Sequence, residues 1–220
     1  MLYGDFNAGL DDDPWQVIPT EWIRAAQARW QADGKPDIAL TAIGCDPARG
    51  GKDKTAIVRR WGAWFETPQV WPGAMTQDGP MVASLVVNAI EGEPALNLDV
   101  IGIGSSVYDA LVSQGVSVNA VNFAEGTTAT DKSGRFQMRN VRAAAWWRMR
   151  EALDPQNNES LALPPGGEVL ADLTAPRWKL STSGILIESK DEIKERLGRS
   201  PDIGDAIVLA NYQDVTWWIY

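Results

Sequence analysis

"IALTAIGCDPARGGKDKTAIVRRWG", residues 38–62, decides the fold. Residues 38–45 alternate apolar and small side chains, and Thr55 to Phe65 form a second β-rich run beyond a Gly50-Gly51 turn, so the pair reads as an antiparallel hairpin. Asp46 then closes the first strand. The Gly-rich turn with Lys52 invites comparison with a phosphate-cradling loop, but the position five before Gly51 is Asp46 rather than glycine, and Lys52 is followed by Asp53 rather than Ser or Thr. A Walker loop is excluded. Asp46 itself becomes the candidate reagent.

Working outward, "MVASLVVNAIEG" (81–92) reads as a helix stopping at Gly92, and "LNLDVIGIG" (96–104) as a buried strand. "SSVYDALVSQG" (105–115) reads as a Ser-capped helix ending at a glycine, and "VSVNAVNF" (116–123) as another strand. Strand, helix, strand, helix, strand implies parallel neighbours in the sheet. Residues 134–153 give the longest helical candidate, with Arg135, Arg139, Arg142 and Arg148 on roughly one stripe. "WKLSTSGILIESK" (178–190) reads as a hairpin around Ser183-Gly184, and a last helix starts near Ser200-Pro201, with serine as N-cap and proline at the first helical position. On the N-terminal side, Thr20 to Gln31 gives a short amphipathic helix within an arm, residues 1–36, leading into a domain over 37–220. A hairpin, alternating elements and a final helix is the order of an RNase H-like α/β fold, a mixed sheet of antiparallel hairpin strands and parallel strands flanked by helices.

The 220 residues are 45% apolar and 22% charged, ordinary for one globular domain. The single cysteine, Cys45, cannot form an internal disulfide, and neither a signal peptide nor an apolar run of about 18 residues is present. A cytosolic protein without membrane contact is expected. The absence of histidine removes Ser-His-Asp and Cys-His catalysis and imidazole-bound zinc. The formal charge of -9 repels nucleic acid unless cations gather on one face or metal ions neutralise an acidic pocket. Residues 132–150, "KSGRFQMRNVRAAAWWRMR", carry six basic residues and no acidic one.

Three acidic positions fall where elements end or begin: Asp46, Asp99 in the central strand, and Asp202 with Asp205 in the first turns of the last helix. Parallel pairing sets the first and central strands side by side, and a helix packed across them brings its first turn to the same edge. Clustered carboxylates repel unless cations lie between them, so the cluster makes sense as a hard-cation site. Two Mg²⁺ or Mn²⁺ ions roughly 4 Å apart activate a water and stabilise a leaving 3′ oxygen without any histidine. Singly, each residue has a plainer role: Asp46 as a turn residue before Pro47, Asp202 as a partner for the helix dipole, Asp205 as a solvent-facing side chain. The combination is what points to chemistry.

The segments "YGDFNAG", "DDPWQVIPTEWIRAAQARW", "GCDPARGGKDKTAIVRRWG", "LDVIGIGSSVYDAL" and "GRSPDIGDAIVLA" together resemble the C-terminal nuclease domain of the large terminase subunit of tailed bacteriophages and prophages, over roughly residues 1–212. The resemblance implies an RNase H-like, RuvC-related endonuclease that cuts concatemeric double-stranded DNA with two divalent metals during packaging. It places the metal ligands at Asp46, Asp99, Asp202 and Asp205, with Asp202 as direct ligand and Asp205 as the neighbour that binds or orients the second metal. Asp109 is a weaker candidate, on a helix surface. The arm would join an ATPase domain that this chain lacks, and the small terminase subunit and portal protein are implied partners in the host cytoplasm.

Lys52 and Lys54 in the turn and Arg135, Arg139 and Arg142 in the basic helix are the candidates for the DNA backbone. Trp146 and Trp147 read as core. Gly102 and Gly104 permit close backbone approach beside the site or relieve helix packing. Rival readings are a RuvC-like junction resolvase and a non-catalytic module that docks DNA or the portal. An actin-like or sugar-kinase ATPase would need a second phosphate loop and a larger body, and neither is found. Mutual proximity of Asp46, Asp99 and Asp202 separates a nuclease from a docking module.

Overall fold

The computed structural model describes residues 12–213. After helix α1 (Thr20–Asp33), strands β1 (Ala42–Asp46) and β2 (Lys54–Trp61) form the expected antiparallel hairpin, with Asp46 opposite Ala56. The β-rich run expected through Phe65 breaks at a turn after Trp61 and folds back as β3 (Trp64–Phe65), and an unforeseen strand, β4 (Gln69–Pro72), also pairs with β2. Helix α2 (Gly79–Ala89), capped by the Asp78 carboxylate accepting the Met81 N–H at 2.8 Å, leads to β5 (Ala95–Asp99). Then follow α3 (Gly104–Ser113) and β6 (Asn119–Val121). β1, β5 and β6 are parallel neighbours, and the sheet order is β3-β2-β1-β5-β6 with β4 beside β2. The mixed α/β sheet expected from the order of elements is present.

Period-two alternation divides these strands between two cores. Ile43, Cys45, Ile57, Leu96 and Leu98 pack under α2 and α3 with Val82, Val86, Val107 and Leu111. The opposite face meets α4 (Val141–Leu153), α5 (Gly167–Thr174) and α7 (Asp202–Asn211), through Ala56, Val58, Trp146, Ile207 and their neighbours. A two-stranded sheet, β7 (Trp178–Ser181) with β8 (Gly184–Ile187), forms the expected hairpin, and α6 (Lys190–Leu197) follows it.

α7 lies directly on β1. A Cβ at Gly44 would stand 2.1 Å from the Ala206 carbonyl oxygen and 2.3 Å from the Ala210 nitrogen, so only glycine allows the helix this close. Asn97 on β5 donates to the Leu209 carbonyl at 2.8 Å and fixes the other end of α7.

Three expectations are corrected. The basic helix begins at Val141, not 134, with Asn140 as its cap. The preceding amides are bonded elsewhere: Arg135 and Phe136 to the Asp131 carboxylate, Met138 to Ala129 and Arg139 to Ile185. The arm over 1–36 is not separate where it is described, because Val17, Ile18, Ile23 and Ala26 are fully buried in the core shared with α4 and α7; residues 1–11 lie outside the described residues. Ser200 does not cap α7: the helix starts at Asp202 with Pro201 at the N-cap position and no side-chain cap bond.

Candidate metal centre

The alternation that sends Ile43, Cys45, Leu96 and Leu98 to one face sends Gly44, Asp46, Asn97 and Asp99 to the other, toward α7. β1 and β5 pair with Cys45 opposite Leu98, so Asp46 and Asp99 follow side by side at the carboxyl ends of parallel strands. The turn after Asp99 folds back tightly: a Cβ at Gly104 would lie 1.8 Å from the Asp99 carbonyl oxygen, and the Ile101 N–H donates to the Asp99 carboxylate at 3.0 Å. On the other side of Asp46, the Thr55 hydroxyl accepts the Ala48 N–H at 3.0 Å and joins Thr76 at 2.8 Å, which holds the loop that leaves β1.

α7 contributes Asp205, fully buried. Its Oδ1 accepts hydrogen bonds from Arg142 Nη1 at 2.7 Å and Trp146 Nε1 at 2.9 Å. Its Oδ2 is buried with no hydrogen-bond partner among the described residues. What faces it is Lys190, the first residue of α6. The Lys190 ammonium lies 2.6 Å from Asp46 Oδ1, 3.4 Å from Asp205 Oδ2 and 3.6 Å from Asp99 Oδ2. One cation therefore sits among three carboxylates from β1, β5 and α7.

Burial raises the pKa of Asp46, and Asp205 and Asp99 add to it against the opposing field of Lys190. Burial likewise raises Asp99, opposed by Lys190 and the Ile101 N–H. Burial alone would lower Lys190, but Asp46, Asp205 and Asp99 outweigh it and raise its pKa, so the ammonium stays charged. The Lys190 side chain keeps 30% exposure, which leaves its flexible stem a path toward solvent.

Asp202 is placed differently from the expectation that it is the direct ligand. Its Oδ2 accepts the Lys54 N–H at 2.8 Å, which ties it to the start of β2, while the fields of Lys190 and Asp46 still reach it. Asp205 takes the central place because three residues along a helix rotate the side chain to nearly the same face but one turn deeper. Asp109 is exposed on α3, away from the cluster.

Among the DNA candidates, Lys52, Arg135 and Arg139 are exposed, while Lys54 pairs with Glu168 at 3.0 Å. Arg142 is a correction: it is 6% exposed and bound to Asp205 and to the Glu188 carbonyl, so it serves the acidic cluster and presents nothing to a DNA backbone. Trp146 is buried as expected, with its indole N–H in the site.

The sequence reading missed Lys190. A signal was present, since the Ser189-to-Glu192 capping box starts α6 with a lysine at the positive end of the helix, where a cation is disfavoured without an acidic partner.

Hard oxygen donors and an unbonded buried Asp205 Oδ2 fit a divalent ion. Among the described residues no three His, Cys, Asp or Glu side chains are arranged to hold a metal ion; the Lys190 ammonium stands among Asp46, Asp99 and Asp205.

No family model matches the chain, and no curated protein matches it. Solved structures do. The nuclease domain of the large terminase subunit gp2 of bacterial virus Sf6 aligns at 19% identity and TM-score 0.67, covering 90% of this chain and 99% of that one. Its K428A mutant, solved with manganese and β-thujaplicinol, aligns at 18% identity and TM-score 0.71 over the same shares. The large terminase nuclease of thermophilic phage G20c with bound magnesium aligns at 17% identity and TM-score 0.55, covering 80% of this chain and 82% of that one. The chain has the RNase H-like fold of large terminase nuclease domains.

Proposed function

We propose that this chain is the metal-dependent endonuclease of a viral DNA-packaging terminase, hydrolysing phosphodiester bonds of concatemeric double-stranded DNA with two Mg²⁺ or Mn²⁺ ions. The observation that carries this reading is the convergence of Asp46, Asp99 and Asp205, from two parallel strand ends and a helix, on one point. Three buried carboxylates are costly without cations, and the single charge of Lys190 offsets only part of theirs.

Asp46, Asp99 and Asp205 would hold the ions, with Asp202 at the margin. Held there, divalent ions would supply an activated water and stabilisation of charge on the leaving oxygen. Arg142 and Trp146 fix Asp205 Oδ1, which leaves Oδ2 directed at the centre. The Asp99 carboxylate is aimed by the Ile101 N–H, and Asp46 by the clamped loop that follows it. Lys52, Arg135 and Arg139 supply exposed cations for the phosphate backbone, which recruits DNA without reading its sequence. The partners follow from the same reading: a terminase ATPase domain, a small subunit and a portal, in the host cytoplasm. No helix among the described residues is long and apolar enough to cross a membrane.

One observation favours a second reading. Lys190 and Arg142 already pair with the carboxylates, and a cluster tied by its own cations is also compatible with a non-catalytic module that docks DNA or the portal. Plasmid nicking in Mn²⁺ decides between them. The wild type should cut, and Asp46→Asn or Asp99→Asn should lower cleavage by about three decades, the loss expected when several kcal/mol of charge stabilisation disappears. Circular dichroism should show an intact fold in both. Retained cutting in either variant sinks the assignment.

A further inference from the structure

The helix that carries Asp202 and Asp205 lacks a cap of its own. Pro201 stands at the N-cap position with no side chain able to accept, and no side-chain cap bond is made there. The first amides of a helix need acceptors from elsewhere. The Asp205 N–H finds the Pro201 carbonyl at 2.9 Å. The Ile203 and Gly204 N–H groups instead reach across to Asp172 on α5, whose Oδ2 accepts them at 3.0 and 3.4 Å. Asp172 is 2% exposed, and its Oδ1 pairs with Arg199, just ahead of α7. One buried carboxylate from a separate helix therefore ties down both the first turn of α7 and the chain that enters it.

We propose that Asp172 is a positioning residue for the metal centre, a tertiary N-cap that sets the rotation and depth of the α7 first turn and through it the aim of Asp205 Oδ2. Two features make this more than ordinary capping. The capped amides, 203 and 204, lie between the two aspartates of α7, so slack there moves both. The Arg142 and Trp146 bonds fix only Oδ1 of Asp205, and the direction of Oδ2 depends on where the backbone of the first turn sits. The proposal rests on the nuclease reading for its consequence, but the cap is independent of it.

The test uses Asp172→Ala and Asp172→Asn with two readouts. Hydrogen exchange followed by NMR should show the Ile203 and Gly204 amides opening at least about tenfold faster in Asp172→Ala, with α4 amides unchanged, since a cap is local. Calorimetric titration of Mn²⁺ should show binding weakened about tenfold in the same variant, the effect expected when support behind a ligand is removed. Asp172→Asn keeps an acceptor and should lie between alanine and wild type in both. A folded Asp172→Ala with wild-type exchange at 203 and 204 overturns the cap, and one with wild-type Mn²⁺ affinity overturns the positioning role. Should Asp172→Ala not fold, Asp172→Asn carries the test, and a wild-type Mn²⁺ affinity there overturns the proposal. A wild-type protein that binds no Mn²⁺ refutes the nuclease reading instead, while the exchange arm still judges the cap.

Discussion

The two faces of the central sheet are made from the same strands and could hardly differ more. Under α2 and α3, β1 and β5 contribute Ile43, Cys45, Leu96 and Leu98 to a dry apolar core. One residue out of phase, under α7, the same strands contribute Gly44, Asp46, Asn97 and Asp99, joined by the buried Asp205, Arg142 and the ammonium of Lys190. The first face supplies stability through burial of apolar area, and the second gives some of that up to gather charge. The strands can carry both because the side-chain period is two, and each face is insulated from the other by the backbone.

The contrast can be broken by substitutions on either side. Arg142→Ala leaves Asp205 buried with one partner fewer and should destabilise the fold by about 3–5 kcal/mol, measured by urea unfolding; a cost near zero would return Arg142 to the solvent face. On the dry face, Leu98→Ala should cost about 2–5 kcal/mol through the cavity it leaves. Its folded fraction should nevertheless bind Mn²⁺ as the wild type does, and altered affinity would show that the faces are coupled. Lys190→Ala removes the resident cation and should tighten Mn²⁺ binding about tenfold by calorimetry, roughly the effect of one competing charge at partly exposed range. Unchanged or weaker binding would make Lys190 a structural tie rather than a placeholder. The smallest effect belongs to Arg139→Ala, whose side chain is exposed just ahead of α4. It should lower the slope of log affinity against log salt for DNA by about one and leave unfolding untouched.

Arg139 and Arg142 also mark where sequence reading stops. Three residues apart in one basic stretch, they look equivalent, yet one lies outside α4 with its amide bonded to Ile185 and the other points into the acidic cluster. Asn140 between them caps α4 and is the one local signal that separates them; the Ile185 carbonyl and Asp205 that complete the separation come from distant parts of the chain. The same holds for Asp202 and Asp205. Their spacing puts both near one edge, but the Lys54 N–H that engages Asp202 and the Arg142 guanidinium that engages Asp205 come from β2 and α4.

By itself the sequence determined the hairpin of β1 and β2, the parallel pairing implied by alternating elements, and the placing of Asp46 and Asp99 at strand ends. Those features depend on period, turn chemistry and order, which are local properties. Only the tertiary structure decided that Asp205 rather than Asp202 completes the cluster, that Lys190 fills it, that Arg142 is buried, and that Asp172 caps α7. Each of these is an electrostatic or hydrogen-bonded contact between residues far apart in sequence, and such contacts are fixed by how α7 seats on Gly44, which the chain reveals only once folded.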